Sequence, residues 1–149
     1  PSLMIDEVMD KIRAFCRTYT LRDVNPRDLS VDLGEICHYL TDFFCYPHND
    51  DLYPHGLLAH YIYEKRTTLC LGRSLTEAHF TGWAESMVAP YTVEGLISRI
   101  TALHRRYHSL AHHGIASDIE FICKVNALGV TSVINIAYES ERVRARAMA

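Results

Sequence analysis

His104, His108 and His112 recur at four-residue intervals in the stretch Leu103-His104-Arg105-Arg106-Tyr107-His108-Ser109-Leu110-Ala111-His112-His113. On an α-helix that spacing sets three imidazoles in a line, and two imidazoles one turn apart are able to bind a transition metal. The zinc-protease arrangement also needs a Glu directly after the first His. Arg105 stands there, and its charge repels a cation. No Asp, Glu or Cys follows at a matching step. No cofactor or metal set is therefore assigned, and His104, His108 and His112 come nearest to one.

The same stretch offers cations to phosphates. Arg105 and Arg106 point away from the apolar stripe, and Lys124, Arg142, Arg144 and Arg146 would extend them into a patch of the kind that binds RNA or DNA by releasing counterions. Against this stands the net charge of −3, since nucleic-acid domains are markedly basic. The charge is uneven: residues 1–55 hold ten Asp/Glu against five Lys/Arg, whereas residues 56–149 hold eight against ten, with six of the nine histidines. The chain is acidic first and weakly basic later.

Other chemistries find less support. The five cysteines (Cys16, Cys37, Cys45, Cys70, Cys123) form no Cys-x-x-Cys pair, which excludes zinc ribbons and thioredoxin-like motifs. Each sits in an apolar stretch, as a small buried hydrophobe would, and the expectation is an intracellular, cytoplasmic or nuclear protein with reduced thiols. No Gly-x-Ser-x-Gly and no phosphate-cradling glycine loop occurs. Asp50-Asp51 and Glu139/Glu141 read as a polar loop and a helix surface. Pro1 would suit a start after Met removal, and nothing near it resembles a signal peptide.

Tyr46, Tyr53, Tyr63 and Tyr91 cluster at helix ends and loops, where tyrosines serve interfaces by burying area while keeping a polar tip. With no catalytic motif in view, the sequence reads as a non-enzymatic helical module that binds a protein partner or a second copy of itself, without a membrane partner. RNA or DNA binding, as in a small viral regulatory protein, is the first alternative. A histidine-based metal or enzyme site near His104 and His108 is the second.

The elements that must position these residues are helices. At 149 residues, with 48% apolar and 22% charged residues, the prior is one globular domain, and no unbroken apolar run approaches the roughly 20 residues of a membrane span. Ile5, Val8, Met9, Ile12, Cys16 and Tyr19 mark a first helix by their three- and four-residue steps. Asn25-Pro26-Arg27-Asp28 opens a second, because Asn caps free amides and Pro suits the first helical position. Leu29, Leu33, Ile36, Cys37, Leu40 and Phe44 form its stripe, and Gly34 within it suggests close helix packing. A third helix begins near Pro54. Residues 63–73 read as a helix end and turn, with a strand as the other option.

Ser74-Leu75-Thr76-Glu77 is a capping box for a helix through Phe80, Trp83 and Met87. Thr92 caps another that runs to a stop at Gly114. Ser117-Asp118-Ile119-Glu120 opens a short helix to Gly129, and a last one starts at Thr131. The expectation is an all-α bundle of six to seven helices, with Phe15, Phe44 and Tyr107 in its core.

Overall fold

The computed structural model describes residues 2–18, 25–49, 51–74 and 88–147, and these are all-α. Among them are five α-helices and one short 3-10 turn: α1 (Ser2–Thr18), α2 (Pro26–Phe43), the turn Tyr46–His48, α3 (Leu57–Ser74), α4 (Val93–His108) and α5 (Ile115–Ala147). The helix expected through Phe80, Trp83 and Met87 lies outside the described residues.

The local start signals act as their chemistry demands. The Asn25 side-chain oxygen accepts the Arg27 amide at 3.0 Å, with Pro26 in the first turn behind it. Thr92 Oγ1 accepts the Gly95 amide at 3.1 Å. Each satisfies a backbone donor that the helix leaves free. The stripes then turn inward. Val8, Met9, Ile12 and Phe15 of α1 meet Ile36, Leu40 and Phe43 of α2, and Leu96, Ile100 and Tyr107 of α4 close on Phe121, Val125, Leu128 and Val133 of α5. Helices α1, α2, α3 and α4 all contact α5, which makes it the central element.

Three boundaries differ from the sequence reading. Residues 63–73 continue α3 to Ser74. Thr67 and Thr68 fit a helix because their hydroxyls donate to the carbonyls of Tyr63 and Glu64, four residues back, a bond that suits hydroxyls inside helices. Helix α4 ends at His108 rather than at Gly114. There the Ser109 hydroxyl donates to the Arg106 carbonyl and His113 Nε2 to the Tyr107 carbonyl, so side chains take up carbonyls that a further turn would have used. His112 is therefore off the helix and exposed. The two helices expected after Gly114 are one, Ile115–Ala147, with Gly129 inside it. By length and composition α5 suffices to cross a membrane, with an 18-residue window of mean hydropathy 1.4, although half of that window is buried inside the protein. A core helix needs that composition too.

Gly129 is where close packing occurs. A Cβ there would stand 2.6 Å from Leu40 Cδ1, whereas nothing lies within 4 Å of a Cβ at Gly34. Gly34 is thus not a packing glycine, and opposite signs follow. Gly129→Val should overpack the α2–α5 contact and cost about 1–3 kcal/mol. Gly34→Ala should add about 0.5–1 kcal/mol by relieving the entropy cost of glycine in a helix. Urea unfolding of both variants checks the contrast, which fails if the two shift the same way.

Candidate metal centre

The end of α2, the 3-10 turn and the first half of α3 bring together five side chains that sequence reading left unremarked. His38 and Asp42 are one turn apart on α2. The chain leaves that helix at Phe43, and Pro47, buried in the turn, directs His48 back toward α3. His60 and Glu64 are one turn apart on α3. The Nε2 atoms of His48 and His60 each lie 3.0 Å from Glu64 Oε1. The two imidazoles are edge to face, with ring centres 4.8 Å apart. Asp42 stands behind them, its Oδ1 3.8 Å from His48 Nε2 and its Oδ2 3.5 Å from His38 Nε2. The hydrogen bond from His48, seconded by that from His60, holds the Glu64 carboxyl below the usual carboxylate range against the opposing effect of burial.

His48, His60 and Glu64 each offer one ligand atom, and these atoms all lie within 4.8 Å of one another. Two histidines and one glutamate are a known donor set for catalytic zinc, which takes three protein ligands and keeps a fourth position open. Bond lengths near 2.1 Å in a tetrahedron separate donor atoms by about 3.4 Å. With two donor pairs at 3.0 Å and the third within 4.8 Å, modest side-chain rotations would let the three receive the ion, so the residues fit it. A cleft of about 240 Å³ opens beside them, lined by Asp42, Glu64, Lys65, Tyr61, Cys45 and Thr41 among others.

The histidines singled out in the sequence occupy the other side of the turn. His104 Nε2 and His108 Nε2 donate to Asn49 Oδ1 at 3.3 and 3.0 Å, and His108 Nδ1 lies 3.6 Å from Asp51 Oδ2. Asn49 is buried and its amide donates to the Cys45 carbonyl at 2.8 Å, so this pair braces the turn that carries His48. The His104 ring stacks on Phe43 at 3.6 Å. Burial first, and the neighbouring His108 second, push its imidazole down to about 4.

That shift has a definite sign. The folded value lies below the ordinary 6.5, so on acidification the unfolded chain takes up the proton first. Stability is lost from about pH 6.5 down to about pH 4 and no further on account of this residue. Thermal melts across that range should fall less steeply for His104→Gln than for the natural chain; parallel curves would refute the assignment.

The other residues named from the sequence are dispersed. Arg105 and Arg106 are exposed on the last turn of α4. Lys124 pairs with Glu120, and Arg142 with Glu139 at 3.2 Å. Lys124 and Arg142 lie 18 residues apart on one helix, or about 27 Å along its axis; Arg144 and Arg146 follow near its end. Tyr46 packs edge-on against Tyr53 and Tyr63, with ring centres 5.0 and 6.0 Å away, beside the candidate centre. Tyr91 is exposed along α5, in a shallow depression with Ile136 and Val143. All five cysteines are free. Burial pushes Cys45 up to about 12 and Cys16 and Cys123 to about 11, which keeps those thiols protonated and unreactive.

Residues 3–114 match the family described as zinc dependent phospholipase C, about three quarters of the chain, and the chain belongs to that family. The matched stretch contains all five residues of the candidate centre, while α5 lies beyond it. No curated protein and no solved structure matches the chain. Membership overturns the reading of a non-enzymatic binding module, and with it the protein-binding, RNA-binding and viral readings: the family is one of zinc enzymes. The absence of a contiguous motif misleads because the five residues of the candidate centre are divided among two helices and a turn. The signal was present in the spacings His38-x-x-x-Asp42 and His60-x-x-x-Glu64, each a pair of donor types set one helical turn apart.

Proposed function

We propose that this chain is a zinc-dependent hydrolase of phosphodiester bonds in phospholipids, with zinc held by His48, His60 and Glu64. The observation that carries this is the convergence of His48 Nε2 and His60 Nε2 on Glu64 Oε1, both at 3.0 Å, within the stretch that matches the family. Zinc bound there would supply a Lewis acid at the phosphoryl group. The chain's own residues do the rest. Glu64 and the two imidazoles hold the ion, and Asp42, whose two oxygens face two different imidazoles, has the geometry of a bridging carboxylate toward a further donor set that includes His38.

The cleft beside Glu64 receives the phosphodiester. Lys65 lies on its wall with no carboxylate partner among the described residues, its Nζ 5.2 Å from the centre of the Tyr61 ring, and can pair with the phosphate charge. Tyr61 lines the cleft, and Leu57, Leu58, Ile62 and Leu69 are exposed on the same helix, which suits a substrate with acyl chains. Metal analysis after exhaustive dialysis, with hydrolysis of a short-chain phosphatidylcholine before and after chelation, tests the reading. Bound zinc and chelator-sensitive hydrolysis are expected; a chain that takes up no zinc at micromolar concentration refutes it.

A further inference from the structure

Asp118 lies in the first turns of α5, beyond the stretch that matches the family, and is fully buried. Its Oδ2 accepts two bonds at 2.8 Å, from the Tyr46 amide and the Tyr63 hydroxyl. Its Oδ1 accepts the Tyr107 hydroxyl at 2.7 Å. A buried carboxylate is tolerated only when so satisfied, and bonds to it are shorter and stronger than neutral ones. Two of the three donors belong to segments that carry a candidate ligand, and the third adjoins a histidine that braces the turn through Asn49. Tyr46 opens the turn that ends in His48, Tyr63 directly precedes Glu64, and Tyr107 directly precedes His108.

We infer that Asp118 is the positioning residue of the zinc centre: through one oxygen it ties the Tyr46–His48 turn to α3, so that His48 is held against His60 and Glu64. The inference rests on the proposed zinc centre. Its force comes from the sharing of a single atom. His48 sits on a three-residue turn without a side-chain cap, and the described residues between that turn and α3 include no helix. Asn49 braces the turn toward α4, but among the described residues no backbone hydrogen bond of the turn joins it to α3. Oδ2 does, and any movement of the turn relative to Tyr63 stretches one of its two bonds.

The test measures zinc affinity by competition with a chromophoric chelator, alongside the melting temperature of each zinc-free protein. Asp118→Asn removes the charge that strengthens these bonds and sets an N–H₂ in place of one oxygen, and should weaken zinc about 10- to 100-fold, the range for loss of a group that orients metal ligands. Tyr63→Phe, which removes one bond and leaves the carboxylate, should weaken it in the same direction and decides the matter if Asp118→Asn fails to fold. Tyr107→Phe acts on the other oxygen, and Val125→Ala only thins the core; both should lower the melting temperature and leave zinc affinity within about twofold of the natural chain. Natural-strength zinc binding in folded Asp118→Asn or in Tyr63→Phe overturns the inference, as does equal weakening by Val125→Ala. Failure of the natural chain to bind zinc overturns the centre itself, a result distinct from either.

Discussion

Glu64→Gln is expected to abolish zinc retention and phospholipid hydrolysis while leaving the helical fold intact. The substitution keeps the size of the side chain and an oxygen that can accept one bond, but removes the negative charge that both His48 Nε2 and His60 Nε2 address at 3.0 Å. A neutral amide is a poor zinc ligand, and two imidazoles alone do not make the three-ligand set of a catalytic site. Loss of an outer-shell partner already costs 10- to 100-fold in metal affinity, so loss of this ligand should exceed about 100-fold. Chelator competition reads the affinity, and circular dichroism confirms the fold. Glu64 is half-exposed at the rim of the cleft, so its removal leaves no buried charge unpaired. If Glu64→Gln retains zinc within about tenfold of the natural chain, these three residues do not form the centre.

Phe44→Ala should produce the largest loss of stability, about 3–5 kcal/mol. Phe44 has no exposed surface. Its ring sits among Phe43, His104, Tyr107 and Phe121, with ring centres 5.4–6.0 Å away, and so joins the end of α2 to α4 and α5. Truncation removes a large buried surface and leaves a cavity between three helices, which the rigid ends of those helices cannot collapse to fill. For a chain of this length the melting temperature should fall on the order of 10 °C. Thermal unfolding of the zinc-free protein checks this; a fall below about 3 °C would show that the site is not packed as described. Zinc binding should suffer too, since Phe44 is the first residue after α2, between that helix and the turn that bears His48.

The same residues show how helix and site differ in legibility. Asn25, Pro26 and Thr92 announce helix starts because a cap acts on amides two or three residues away. Phe15, Phe44 and Tyr107 announce the core because a stripe of period 3.6 has one face to bury. Boundaries set by side chains reaching back were harder to read: His113, six residues beyond Tyr107 in sequence, helps to end α4, and Gly129 stays inside α5 because Leu40 of another helix fills the space beside it.

What the sequence by itself determined was the all-α class, two of the helix starts and most of the core, since each follows from contacts within a few residues. Only the tertiary structure decided which polar residues meet. The spacing of His104 and His108 drew attention to α4, yet their Nε2 atoms address Asn49 and brace the turn. The proposed metal donors are His48, His60 and Glu64, and the carboxylate bonded to both the turn and α3 is Asp118, 70 residues beyond His48 in the chain. Such meetings depend on how α2, α3, α4 and α5 pack, and packing is settled by long-range burial that no local spacing encodes.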